Sequence, residues 1–155
     1  MGSAVQGGRL AWIVGDDRNH LRFVDLVLDG RASDDMIIGG DASEVVLGGA
    51  GADTLSGNNG SDSVIGGPDD DSLDGGRGAD QLDGSEDDDV INGRSGDDFI
   101  ADSGGDNRIF AGGGDDRVLG GTGEDVVFAG SHVAGDLCFQ RLEERRGCEF
   151  SRTAL

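Results

Sequence analysis

The chain has 155 residues, with 31 Gly, a single Pro, no Tyr and a formal charge of −20. Its 32 acids against 12 bases would repel a phosphate backbone, which excludes nucleic acid as a partner. No stretch approaches the roughly 18 apolar residues that a membrane-spanning helix needs, so no membrane span is expected.

Residues 1–8 read as a flexible leader, and 10–14 as a short strand ending at the Gly15-Asp16-Asp17 turn. That apolar piece is too short for the core of a classical secretory signal. Residues 21–28 (LRFVDLVL) form a strand-like run, and Leu28 falls in step with the repeats that follow. The segment 1–29 is therefore read as a leader and capping strands, with a degenerate repeat closing one end of a stack.

From 30 to 128 a nine-residue unit recurs eleven times without insertion or deletion. Its clearest copies are GGAGADTLS (48–56) and GGRGADQLD (75–83). A fixed period decides the fold before any single residue does. The eighth position is always aliphatic: Ile37, Val46, Leu55, Val64, Leu73, Leu82, Ile91, Ile100, Ile109, Val118 and Val127. One inward aliphatic between mostly polar neighbours predicts a three-residue strand, with the six preceding residues as a turn. The fourth position is Gly in seven copies, as a turn with positive φ requires. It departs to Ser33, Ala42, Asp69 and Asp87, where a strained or altered turn is expected.

The sixth position carries the chemistry. It reads Asp35, Glu44, Asp53, Asp62, Asp71, Asp80, Asp89, Asp98, Asn107, Asp116 and Asp125. A Gly-rich turn also exposes main-chain carbonyls, Gly49, Gly51, Gly76 and Gly78 among them in the two clearest copies. Carboxylates mixed with carbonyls are the ligand set of a hard cation such as Ca²⁺. Zinc fits poorly, because the repeats hold no Cys or His. Acidic, Gly-rich, aromatic-poor chains are ordinarily disordered. One aliphatic per nine residues is a thin core, so calcium binding is expected to supply folding energy as well.

The pattern Gly-Gly-x-Gly-x-Asp-x-aliphatic-x resembles the RTX (repeats-in-toxin) calcium-binding nonapeptide over 99 of the 155 residues. The resemblance implies an all-β fold, a right-handed parallel β-roll in which two nonapeptides make one turn. Alternate loops would then stack on one edge. Asp35, Asp53, Asp71, Asp89, Asn107 and Asp125 would share the first, and Glu44, Asp62, Asp80, Asp98 and Asp116 the second. With one ion between stacked neighbours, at most five and four calcium sites follow, those touching Glu44 and Asn107 being the weakest matches. The resemblance also implies a secreted, extracellular protein and export by type I secretion machinery.

Beyond 128 the register fails, and 129–155 is read as a C-terminal cap or tail. Residues 137–150 suit a short charged helix or a hairpin. Cys138 and Cys148 are either a disulfide, if the protein is exported, or two free thiols. The outward seventh and ninth positions turn apolar toward both ends, with Met36, Ile38, Val45 and Leu47 early and Phe99, Phe110, Leu119, Val126 and Phe128 late. Flanking segments, another domain or another chain would dock there. His20 and His132 are isolated and no catalytic motif occurs, so no enzymatic activity is expected. Two other contexts remain open, a C-terminal secretion or folding module of a secreted hydrolase or toxin, and an adhesin or surface-layer spacer.

Overall fold

The computed structural model describes residues 26–130 and 137–139, and every described element is a strand. One sheet contains β1 (Leu26–Ala32), β3 (Glu44–Ala50), β5 (Ser63–Gly67), β7 (Gln81–Ser85), β9 (Phe99–Ala101), β11 (Arg117–Leu119) and β13 (Leu137–Phe139), side by side in that order. The other contains β2 (Met36–Ile38), β4 (Thr54–Asn59), β6 (Ser72–Arg77), β8 (Val90–Ser95), β10 (Arg108–Phe110) and β12 (Val126–Phe128). Successive strands thus alternate between two parallel sheets, the arrangement of a β-solenoid.

The period sets the register. Leu28 pairs with Val46, Val46 with Val64, and Ile37 with Leu55, each eighteen residues on, so two nonapeptides make one turn. Every eighth-position aliphatic is buried, and Leu28 is buried with them. Together with Ala111 they form one hydrophobic cluster.

The strands in the middle of the stack are longer than three residues. In β4, β6 and β8 the inward positions are the eighth of one unit and the first of the next, while the sixth is buried just before the strand. Positions six, eight and one therefore all face inward, an alternation of period two. The sequence pattern hides it because the first position is usually Gly, with no side chain to mark it.

The second position takes positive φ in nine of the eleven units, all but those of Gly40 and Ser103, and the fourth in ten. At Gly76 (φ 107°) and Gly78 (φ 122°) a Cβ would collide with the carbonyl oxygens of Asn58 and Gly60 one turn earlier, so Gly also permits close stacking. Ser33, Asp69 and Asp87 hold the fourth-position turn at φ 85°, 81° and 73°, a strained backbone for residues with a Cβ. Ala42 is not among the positive-φ residues, so its loop takes an altered path instead. Arg31, Asn58, Ser85 and Arg94 bear the same strain at the second position.

At the far end β13 pairs in parallel with β11, Cys138 opposite Val118. That offset of twenty residues, not eighteen, is where the repeat register fails, and 137–139 continues the sheet as a strand. The expected elements before residue 26, the pairing of Cys138 with Cys148 and the tail after 139 lie outside the described residues.

Candidate metal site

Each turn between strands ends in the sixth-position acid, whose backbone direction is set by the strand that follows. Its Oδ1 accepts a hydrogen bond from the main-chain N–H of its counterpart one turn earlier. On one edge Asp35 N–H donates to Asp53 at 2.8 Å, Asp53 to Asp71 at 2.7 Å, Asp71 to Asp89 at 2.8 Å, Asp89 to Asn107 at 2.8 Å and Asn107 to Asp125 at 3.0 Å. On the other, Glu44 donates to Asp62 at 2.8 Å, Asp62 to Asp80 at 2.8 Å, Asp80 to Asp98 at 2.9 Å and Asp98 to Asp116 at 2.9 Å. These are the two edges expected from the repeat, and each is one continuous ladder.

The second oxygen is different. Oδ2 of Asp35, Asp53, Asp62, Asp71, Asp80, Asp89 and Asp98 is buried with no hydrogen-bond partner. A buried carboxylate oxygen left unpaired is costly, and a row of them is unstable unless something neutralises it. Each Oδ2 points at the Cα of the glycine opening its own unit. A Cβ on Gly30 would lie 2.8 Å from Asp35 Oδ2 and 2.5 Å from the carbonyl oxygen of Gly48. On Gly75 it would lie 2.6 Å from Asp80 Oδ2 and 3.1 Å from the carbonyl oxygen of Gly93. The first-position glycine thus keeps open a cradle where a carboxylate oxygen and a carbonyl oxygen from the next turn converge.

Among the described residues no three Asp, Glu, His or Cys side chains gather at one point. A cation held in such a cradle must draw most of its oxygens from the main chain, which suits calcium and not zinc. The residues present fit a hard divalent cation.

The expected site residues are not equivalent. Glu44 is one methylene longer and its Oε2 accepts from Gly40 N–H at 3.0 Å, so this carboxylate is already engaged. Asn107 keeps the ladder through Oδ1 but brings no second carboxylate oxygen. Gly49, Gly51, Gly76 and Gly78 are half-buried at φ 115°, 119°, 107° and 122°, each against the backbone of the preceding turn. The fifth-position acids form a second ladder: Oδ1 of Asp34, Asp70, Asp88 and Asp106 accepts from the N–H of Ala52, Asp88, Asp106 and Glu124 at 2.7–3.1 Å.

Burial pushes the Asp71 and Asp98 carboxyls up to about 7, and those of Asp80 and Asp89 up to about 6. Burial likewise raises Glu44, Asp53 and Asp62. Such groups bind more protons folded than unfolded between an ordinary value near ~4 and these raised values. The contribution of these groups to the stability of the metal-free chain is therefore fully present below about pH 4 and is lost as pH rises through about 6–7. In EGTA, far-UV circular dichroism should show more strand at pH 5 than at pH 8. A profile that is flat, or that rises with pH, would contradict this.

The family model of the RTX calcium-binding nonapeptide repeat matches the chain in four overlapping or successive copies, at 27–55, 38–73, 65–100 and 102–131. No curated protein and no solved structure matches the chain. With more than half of the chain covered, and with the strand order and acid ladders that the repeat calls for, it belongs to the RTX calcium-binding nonapeptide repeat family.

Proposed function

We propose that calcium ions bind in the cradles between successive loops on both edges of the roll, and that the chain folds when they bind. The observation that carries this reading is the row of buried Oδ2 atoms without a partner from Asp35 to Asp98, all but that of Asp89 beside a carbonyl oxygen of the next turn. Calcium would supply the positive charge that this row lacks. The chain's own part is to hold each carboxylate by its Oδ1, leave Oδ2 exposed to the cradle, and keep that cradle clear with glycine.

The cradles at Asp53, Asp71, Asp62, Asp80 and Asp98 match the repeat most plainly, since each has Gly at the first position and an unpartnered Oδ2. Asp35 and Asp89 belong with them, whereas Glu44 and Asn107 make weaker ligands for the reasons of length and charge given above. In the last complete turn Ala111 replaces the first-position Gly, so a methyl group stands where the cradle of Asp116 would open. Occupancy is therefore expected to fall below the nine that counting loops allows.

Coupling of folding to calcium suits a module of an exported protein, kept unfolded at low cytosolic calcium and folding outside the cell, where type I secretion would deliver it. A site that binds only the folded chain stabilises it by RT ln(1 + [L]/Kd), roughly 2.7 kcal/mol at hundredfold excess. Several modest sites thus act together as a switch. Titration calorimetry with calcium and with magnesium, alongside native mass spectrometry, tests the binding. Uptake of several calcium ions and far weaker magnesium binding are expected, and a chain taking up no calcium would refute the proposal.

A further inference from the structure

One cradle is built differently. Wherever the cradle of an earlier unit opens toward a first-position residue one turn on, it meets that residue's carbonyl oxygen: Gly48 of Gly30, Gly66 of Gly48, Gly93 of Gly75. At Gly84 the nearest atom from the next turn is instead the Oδ2 of Asp102, beside the Oδ2 of Asp89. Asp102 stands where the other units carry Gly or Ala. Its side chain is only 7% exposed, its Oδ1 accepts from Gly104 N–H at 2.9 Å, and its Oδ2 has no partner. Asp89 is 1% exposed and its Oδ2 is likewise unpartnered.

The same unit lacks the usual acid at its sixth position, where Asn107 maintains the ladder without a charge. The unit has in effect moved its carboxylate from the sixth position to the first, and so across into the cradle of the preceding turn. That cradle holds two carboxylates where its neighbours hold one carboxylate and one carbonyl.

We propose that Asp102 is a direct ligand of a divalent cation, forming with Asp89 a two-carboxylate site over Gly84 that is the tightest calcium site of the chain. The inference rests on the calcium reading above. Two buried carboxylate oxygens side by side repel each other, and a cation between them removes the repulsion of both. Calcium affinity rises with the number of charged ligands in a site, so this cradle fills first. The displaced Asp102 also accounts for tolerance of Asn107, because net charge along this edge is conserved.

Asp102→Asn and Asp102→Gly in the full chain test this by calcium calorimetry and native mass spectrometry. Asn preserves shape, and Gly restores the residue found in most units, so one of the two remains informative if the other fails to fold. In either variant the tightest dissociation constant should rise by about tenfold or more, and one ion should leave the first class to bind, with dichroism at saturating calcium unchanged. Unaltered affinity and stoichiometry in both variants, with the parent chain binding calcium, would overturn this inference and leave the general calcium reading standing. A parent chain that binds no calcium would overturn both.

Discussion

Asp80→Asn should make the chain fold more readily without calcium and less readily with it. Asp80 Oδ1 accepts the N–H of Asp62 at 2.8 Å, and an amide oxygen in its place keeps that bond, as Asn107 does for Asp89. What the substitution removes is the charge on a buried oxygen that has no partner. With the carboxyl raised to about 6 by burial, the charged form costs the metal-free fold about 2–3 kcal/mol at pH 8. The variant should therefore need less TMAO, an osmolyte that favours compact states, to fold in EGTA.

In calcium the sign reverses. Asp80 supplies the carboxylate of the cradle over Gly75, so calcium binding there is lost, about 4 kcal/mol if that site is a thousandfold saturated. The calcium midpoint for folding should shift to several-fold higher concentration. Asp80→Ala should do the same and also strand the Asp62 N–H, a further ~1–3 kcal/mol. Asp83→Ala is the control: the residue is half-buried at the ninth position and bonded to Ser85, away from the cradles, so its loss should leave calcium affinity unchanged. A shift of the same sign for Asp80→Asn with and without calcium would contradict the account.

Gly75→Ala should abolish calcium binding at its cradle without a backbone penalty. Gly75 is not among the positive-φ residues, and Ala111 occupies the same column, so a methyl group is compatible with the roll. Its Cβ would nonetheless come within 2.6 Å of Asp80 Oδ2, forcing the carboxylate aside or covering it. In EGTA the variant should fold about as well as the parent in TMAO. In calcium it should bind one ion fewer. Gly78→Ala provides the contrast, because at φ 122° its Cβ would collide with the Gly60 carbonyl oxygen. That change should destabilise the chain under every condition, by about 1–3 kcal/mol or more. Equal calcium uptake by Gly75→Ala and the parent would show that the cradle is not the site.

Much of this was legible in the residues, because a strict period writes the same environment many times. The eighth column gave the core, Leu28 included, and the step of two units per turn sorted the sixth column into its two ladders. The missing parts share a physical cause: they depend on positions that the pattern leaves unmarked. Gly at the first position shows no polarity, so neither its inward direction nor the extension of β4, β6 and β8 through it could be seen. The fifth-position acids look like solvated charges until backbone N–H groups one turn away are found against them. Asp102 reads as a lapse in a glycine column, and only its proximity to Asp89 gives it a place.

The apolar outer positions were read as docking surfaces, and in the described residues they are divided. Met36 and Val126 are exposed, at 40% and 49%. Phe110 and Phe128 instead stack on each other at 4.8 Å between ring centroids, with the Arg108 guanidinium over both rings. Pairing across β10 and β12 puts these rings directly opposite one another, so part of the apolar outer row is used within the roll itself.

The fold is expected to depend on calcium because, among the described residues, the buried Oδ2 atoms of Asp53, Asp62, Asp71, Asp80 and Asp98 have no hydrogen-bond partner. Far-UV circular dichroism of the chain at pH 8, in excess EGTA and then in millimolar calcium, measures it most directly. Strand signal that appears only with calcium, and that magnesium does not restore, is the expected result. A chain equally rich in strand in EGTA would contradict it.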